Sequence, residues 1–134
     1  MLVRLLASTP KIEALIATAM LTTTSNAAPS TLFFNLSNNP ERVSRIVERL
    51  EVQHGSILEH NRLIWLIEAE DSEVMEVLLS NRFFTFTKLS LKQWLMSANL
   101  RAVLEYKSRE GKFAYLLLES LKEVAFTVYS SGRR

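Results

Sequence analysis

The segment from residue 54 to 60 carries the residue types best suited to chemistry, because it holds both histidines of the chain, His54 and His60. Ser56 is followed three residues later by Glu59, a spacing typical of a capping box at the start of a helix. The apolar run 63–67 comes directly behind and favours a strand buried on both faces. Titratable groups at the mouth of a buried strand predict a ligand site. The alternative is that the histidines are ordinary capping or surface residues.

A metal site at this segment is a weaker interpretation. The two histidines have only Glu59 beside them as a further ligand, whereas a structural or catalytic zinc site needs three or four. We therefore predict no metal ion.

The elements that must position this segment fit a single domain spanning 1–134. The chain has 134 residues, of which 48% are hydrophobic, enough for a core that needs no disulfide. It contains no cysteine, so thiolate chemistry is excluded. A formal charge of +2, with basic and acidic residues interleaved, does not predict a nucleic-acid partner.

The N-terminal region could be mistaken for a signal peptide, because Arg4 precedes an apolar stretch at 14–21 and small residues at 25–28. Lys11 and Glu13 lie just ahead of that stretch, and its apolar residues repeat with helical spacing, which favours a core-facing helix. No apolar run approaches the about 20 residues that a bilayer crossing needs. We expect a cytoplasmic protein with no membrane partner.

The first half of the chain predicts a buried strand over 2–6, then a helix capped by Ser8, Thr9 and Pro10. Residues 25–40 are rich in Ser, Asn and Pro and predict a connection, interrupted by the apolar residues 32–34. Asn39 and Pro40 start a second helix, whose apolar residues share one face.

In the second half, Asp71 and Ser72 are predicted to cap a helix, and residues 83–87 favour extended backbone. Ser90 is predicted to cap a helix running from 91 to 103, and Gly111 is predicted to end it. A last amphipathic helix is predicted to cover 113–124, before a polar tail. This order predicts an α+β domain, a small antiparallel-type sheet packed with several helices.

The residues also carry a resemblance to a known family. The run His54, Ser56, Glu59, His60 is similar to the H-x-S-x-x-E-H segment of flavin-dependent thymidylate synthases of the ThyX type. The opening 2–20 resembles the first strand and helix of that family. Asn99, Arg101, Val103 and Tyr106 resemble its late N-x-R-x-L-x-x-F helix. The chain is thus identified as a short, divergent, ThyX-like single domain.

The resemblance implies a homo-oligomer, a tetramer or dimer, that binds FAD and the nucleotide dUMP between subunits. Methylenetetrahydrofolate would supply the carbon and NADPH would supply the hydride, while the flavin would carry out the chemistry. It implies three sets of residues: cofactor-binding His54, Ser56, Glu59, His60, Arg82 and Asn99; substrate-binding Ser90, Lys92 and Arg109; and catalytic Ser90 and Arg82. His54 would lie by the flavin, and Asn99 would hydrogen-bond it.

Departures from the family pattern imply impaired catalysis. The signature R-H-R-x-x-S-x-N-E-x-S-x-R-Y aligns with 80–93, where only Arg82 and Ser90 are identical. Ser80 replaces a cation, Lys88 reverses a charge, and Lys92 cannot grip phosphate as an arginine does. A long insertion that the family carries between 94 and 99 is missing. Arg109 lies one place short of the family's late arginine, and Glu105 stands where His or Asn is expected.

Three hypotheses follow. The chain is a divergent member with a retained flavin or nucleotide pocket and impaired chemistry; a working synthase, alone or completed by a partner chain; or a non-catalytic assembly protein. In the third, the interface anchors would be aromatic residues that core packing explains equally well: Phe33, Phe34, Phe83, Phe84 and Trp94. The structural alternatives are that Ser90 simply caps a helix and that Arg82 pairs with Glu73 or Glu76.

Overall fold

The computed structural model describes residues 1–50, 52–106 and 109–132. Its elements follow in the order β1 (Leu2–Ser8), α1 (Ile12–Leu21), α2 (Pro29–Ser37), α3 (Pro40–Val47), a 3₁₀ helix (Val52–Glu59), β2 (Leu63–Glu68), α4 (Asp71–Ser80), β3 (Thr85–Lys88), β4 (Gln93–Ala98), α5 (Leu100–Tyr106), α6 (Lys112–Ser120) and α7 (Phe126–Gly132). The fold is α+β, as the sequence predicts. Of the helices in the described residues, none has the length and apolar content needed to cross a membrane.

The four strands form one sheet in the order β1-β2-β4-β3, with every neighbouring pair antiparallel. The 63–67 run becomes β2, a central strand with partners on both sides, because its β-branched and aromatic residues suit a pleated, buried surface. Strand β3 returns parallel to β2 after α4, and β4 inserts between them.

The core lies on one face of this sheet. Leu63, Trp65 and Ile67 from β2, with Met96 and Ala98 from β4, are fully buried in a cluster that includes residues from all seven described α-helices. The indole Nε1 of Trp65 donates to the Ser120 hydroxyl at 2.8 Å, which satisfies its only polar atom. The opposite face is not part of this core, so the prediction that β2 is buried on both faces holds for one face only.

Some element predictions in the first half are wrong. Residues 25–40 contain α2, because Pro29 at its first turn presets the helical φ and the buried pair Leu32 and Leu36 lies on one helical face. Strand β1 is an edge strand with alternating exposure rather than a buried one. Thr9 does not cap α1; its hydroxyl accepts from the amide of Arg62 at 2.8 Å and so joins β1 to β2.

The largest error concerns residues 90–99, because the helix predicted over 91–103 forms only from Leu100, as α5. Ser90 begins a turn from 90 to 93 that closes a β3–β4 hairpin, so no helix starts there. The apolar residues 94 and 95 fit either a helix or a strand, and pairing of β4 with β2 and β3 decides for the strand. Helix α4 is capped from Glu70, whose amide donates to Glu73, rather than from Asp71 or Ser72. The last predicted helix, 113–124, ends earlier, at Ser120 of α6, and α7 forms within the region predicted as a polar tail.

Candidate functional site

Asn61 joins the 3₁₀ helix to the start of α5, and Asn99 caps α5. The Asn61 amide donates to the Leu58 carbonyl at 2.8 Å, and its oxygen accepts from the Leu100 amide at 2.8 Å. Asn99 caps α5, because its side-chain oxygen accepts from the amide of Ala102 at 3.0 Å. Segment 55–60 and Asn99, predicted to share a cofactor site, therefore lie on adjoining elements.

Arg101 crosses between these elements. Its Nη1 pairs with the Glu59 carboxylate, and its Nε donates to Glu105 Oε1 at 3.0 Å, one helical turn along α5. The hydrogen bonds that Arg101 donates to Glu105, and then to Glu59, raise the pKa of its guanidinium. A Cβ added at Gly55 would lie 3.1 Å from Arg101 Cζ, so the glycine lets the guanidinium approach this backbone closely.

This geometry corrects the predicted capping box. Ser56 lies within the 3₁₀ helix and does not begin an α-helix, and the Glu59 side chain is engaged by Arg101. Ser56 and His60 are exposed. The side chain of His54 lies outside the described part of the chain, so its predicted contact with a cofactor stays a prediction.

A separate cleft of about 320 Å³ lies beside the C-terminal half of α5. We call it the arginine cleft; its lining residues are Ser80, Asn81, Arg82, Phe83, Glu105, Tyr106 and Arg109. Arg109 Nη2 donates to the Ser80 carbonyl at 3.0 Å, and its guanidinium carbon lies 5.6 Å from the Tyr106 ring centre. The Arg82 guanidinium carbon lies 5.0 Å from the ring centre of Phe83. Each cation therefore rests on an aromatic ring at this cleft.

Buried aromatic residues fix the inner wall of the arginine cleft. Tyr106 packs edge-on against Phe84 and Phe113, with ring centres 5.4 Å apart in both pairs. Phe84 is 2% exposed, which supports core packing rather than the predicted role as an interface anchor. The wall is rigid for this reason, whereas the arginine heads lie at the surface.

The predicted residues of the 80–93 signature divide between two places. Arg82 lies in the arginine cleft, and its predicted alternative, an ion pair with Glu73 or Glu76, does not occur within the described residues. Ser90 and Lys92 lie at the other end of the hairpin, separated from Arg82 by β3, whose four residues span about 13 Å. Within one chain, Arg82 and Ser90 do not share a site.

The hairpin end is occupied by ion pairs. Lys92 Nζ lies 3.1 Å from Glu70, Lys88 Nζ lies 2.9 Å from Asp71, and the Ser90 hydroxyl donates to Gln93 at 3.3 Å. The carboxylates come from the first turn of α4, where negative charge is favoured by the helix dipole. These lysines are therefore engaged by the protein itself.

Sequence reasoning missed Asn61, which joins the 3₁₀ helix to α5. An asparagine between a helix end and a strand start is typical of local side-chain to backbone hydrogen bonding, and that was the available signal. A larger cavity, about 580 Å³, lies beside β1 against residues 119–124, and none of the predicted site residues lines it.

No protein-family model matches this chain, and no curated protein matches it. In the described residues, no three His, Asp or Glu side chains converge in a way that could hold a metal ion.

Proposed function

We propose that the protein is a divergent relative of the flavin-dependent thymidylate synthases that binds a flavin or a nucleotide such as dUMP with impaired synthase chemistry. One observation carries the proposal: Arg82 and Arg109, both singled out by the resemblance, lie in one cleft, each against an aromatic ring. Two guanidinium groups next to aromatic rings suit a ligand that joins a phosphate to a planar ring.

The size of the arginine cleft limits which ligands it can hold. At about 320 Å³ it is at the lower end of small-molecule sites, which run from about 300 to 1,000 Å³. It accommodates a phosphate and one ring, as in dUMP or one half of FAD. The rest of an FAD molecule would extend beyond this cleft, which accords with the homo-oligomer that the resemblance implies.

Donors for a phosphate remain on both arginines. A guanidinium has five N–H donors, and the Ser80 carbonyl accepts from one nitrogen of Arg109. Tyr106 and Phe83 hold the planes of the two guanidinium groups, which lowers the entropy lost when they bind an anion.

Other residues support the part of the proposal that the synthase reaction is impaired. Glu105 adds a carboxylate to the arginine cleft, although Arg101 offsets its charge. Lys92, at a predicted substrate-binding position, is held by Glu70, and Lys88, which reverses a charge of the family signature, is held by Asp71. A bound flavin would supply hydride transfer. The contribution of this chain is to hold the phosphate with Arg82 and Arg109 and to place a ring against the exposed side chain of Phe83.

The proposal is tested by binding. Freshly purified protein should show the visible absorbance bands of bound flavin, or bind FAD or dUMP in a calorimetric titration. Arg82→Ala and Arg109→Ala should each weaken binding by about tenfold or more, because each removes a charge-assisted hydrogen bond. Lys122→Ala, in an exposed position outside the arginine cleft, should leave binding unchanged. A colourless protein that gives no heat with FAD, FMN or dUMP would exclude the proposal.

Activity is a separate question from binding. We expect the gene not to rescue a thymidine auxotroph, because Lys88 and Lys92 of the aligned signature are paired within the chain. Rescue, by the chain alone or with a partner chain, would establish a working synthase that uses methylenetetrahydrofolate and NADPH.

The alternative is a non-catalytic assembly protein on the same fold. It is favoured by two of the predicted aromatic anchors, Phe34 and Phe83, which are 69% and 51% exposed. If Phe34→Ala or Phe83→Ala lowered the oligomer mass in light scattering while no flavin or nucleotide bound, this alternative would replace the proposal.

A further inference from the structure

The cavity of about 580 Å³ beside β1 lies at an open edge of the sheet. Its lining includes the four consecutive residues 5–8. Successive residues of a strand point to opposite faces, so a cavity lined by all four lies along the edge of the strand and not on one face. The rest of the lining is Val3 and five residues from 119–124, at the end of α6 and in the turn after it. We call this cavity the edge groove.

The main chain of β1 has unpaired hydrogen-bonding groups beside the edge groove. An edge strand pairs on one side only, so its remaining amides and carbonyls point outward. Strand β1 pairs with β2 alone, and no backbone hydrogen bond from elsewhere in the described residues reaches residues 2–8. These outward groups need a partner, which is either water or another extended chain.

The sequence of β1 lacks most of the features that keep an edge strand from pairing. Natural edge strands are often very short, charged or interrupted by proline. The other edge strand, β3, has four residues and ends in Lys88, whereas β1 has seven residues, no proline and one charged residue, Arg4. The register shift between Leu5 and Ala7 is a bulge, and Leu6, which it re-aims, is 50% exposed and lines the edge groove. Strand β1 is therefore suited to accept a further strand.

Both sides of the edge groove are held in place by the core. Val3 and Leu5 pack against the core from β1. On the other side, the Ser120 hydroxyl accepts from Trp65 Nε1 at 2.8 Å, and the neighbouring Leu121 is fully buried. Since residues 119–124 bound the cavity opposite β1, the space holds one added strand and not the edge of a second sheet.

The charges of the groove indicate which segment fits. Glu119, Lys122 and Glu123 all line it, so two carboxylates and one ammonium give this side a negative charge. Glu119 accepts from the Tyr129 hydroxyl at 3.0 Å, whereas Glu123 is exposed and takes part in no ion pair among the described residues. A basic side chain therefore complements the groove at Glu123.

We propose that the edge groove binds an extended segment of another protein, which adds to β1 as a fifth strand of the sheet. An aliphatic side chain of that segment contacts Val3, Leu5 and Val124, and a basic side chain pairs with Glu123. In this mode the main-chain hydrogen bonds supply affinity, and the alternate side chains supply specificity. The inference does not depend on the proposed function, because the edge groove and the arginine cleft share no residue.

The first test addresses the main-chain hydrogen bonds and leaves the protein unchanged. The probe is a fluorescein-labelled hexapeptide of alternating valine and lysine, titrated with the purified full chain and followed by fluorescence anisotropy. Two matched probes carry N-methyl groups, one on the valine amides and one on the lysine amides. Alternate amides of a strand point to opposite sides, so one methylated peptide should bind at least about tenfold more weakly, while the other stays within about twofold of the parent.

Three outcomes of this titration overturn the proposal. The first is no binding of the parent peptide up to millimolar concentration. The second is equal binding of all three peptides, which would mean that the groove takes an aliphatic group without strand pairing. The third is a fall in sedimenting mass when the peptide is added, which would show that a second copy of the chain occupies β1.

The second test addresses the charge of the groove. Glu123→Lys, at an exposed position, should weaken binding of the valine–lysine peptide by about five- to tenfold and strengthen binding of a valine–glutamate peptide. The matched control is Glu110→Lys, at an exposed glutamate outside the edge groove, which makes the same change in net charge and should leave both affinities within about twofold. Equal effects of the two variants would show attraction to overall charge alone and would overturn the assignment of the basic side chain to Glu123.

Discussion

Glu105 places a carboxylate in the arginine cleft, where its charge opposes any anionic ligand. Its replacement by glutamine removes that charge and leaves Arg101 with a neutral acceptor in place of one of its two carboxylate partners. Since the residue is exposed and screened, we expect Glu105→Gln to strengthen binding of dUMP by only about two- to fivefold. Fluorescence titration measures the change. Glu110→Gln, an exposed glutamate beyond α5, is the matched control and should have no effect. Weaker binding by the Glu105 variant would show that the carboxylate contacts the ligand favourably.

Asn61 makes two hydrogen bonds that no other residue replaces in the described structure. Asn61→Ala leaves the Leu100 amide and the Leu58 carbonyl, both in buried residues, without these partners, so we expect a loss of about 2 kcal/mol in unfolding free energy. Urea denaturation measures it. The control is Asn38→Ala, at an exposed residue whose amide donates once within its own helix, to Phe34. We expect this control to cost under about 0.5 kcal/mol. Equal losses in the two variants would contradict the bridging role.

The resemblance to a known family predicted part of this site. Arg82, Asn99 and Glu59 were singled out from motif positions. Arg82 and Asn99 contact residues near them in the sequence, Phe83 and Ala102, whereas Arg101, the partner of Glu59, lies 42 residues away. A local pattern such as Ser56 followed by Glu59 predicts a local contact, and the long-range ion pair with Arg101 replaced it. Asn61 was missed because a single asparagine between two elements carries no periodic signal.

At the scale of elements, predictability followed periodicity. Helix α3 was predicted correctly from Asn39, whose side chain accepts from the Arg42 amide, and from a one-face apolar pattern. Residues 91–99 were wrongly predicted to be helical because Leu91, Trp94 and Leu95 fit helical spacing as well as they fit a strand. Pairing with β2 determines that residues 93–98 form a strand, because the six residues of β2 pair with all six of β4. That pairing is a tertiary effect, which a window along the sequence does not contain.

The start of α6 depends on the backbone of Gly111, whose φ is 138°. A side chain at this φ is strained even though an added Cβ would meet no atom within 4 Å. We therefore expect Gly111→Ala to lower the unfolding free energy by about 1–3 kcal/mol, measured by urea denaturation. Gly55→Ala is the contrasting variant, since its Cβ would meet only the flexible end of Arg101, and it should cost less. A larger loss for Gly55→Ala would show that the Arg101 contact, and not backbone strain, dominates.

At the scale of the whole molecule, one buried carboxyl joins the two ends of the chain. Glu13 on α1 accepts from the Thr127 amide of α7 at 2.8 Å, and the Thr127 hydroxyl donates to Ser44 of α3 at 3.1 Å. The second carboxylate oxygen of Glu13 is buried and has no hydrogen-bond partner among the described residues. Burial raises the pKa of Glu13, although the Thr127 hydrogen bonds partly oppose it. Three helices thus depend on a group that is costly to ionise.

This raised pKa makes the stability of the whole fold depend on pH in a stated direction. Between the ordinary pKa of a glutamate, about 4.3, and its raised value in the fold, the folded state binds the proton more tightly than the unfolded chain. The contribution of Glu13 is therefore complete below pH 4.3 or so and is lost as the pH rises through the folded pKa. Glu13→Gln keeps an oxygen that can accept from Thr127 but cannot ionise. Urea denaturation of both proteins from about pH 4 to pH 8 should show the wild type losing stability relative to Glu13→Gln as the pH rises. Parallel pH profiles would mean that Glu13 has the same pKa in the folded and unfolded chains, and that its burial is relieved by solvent.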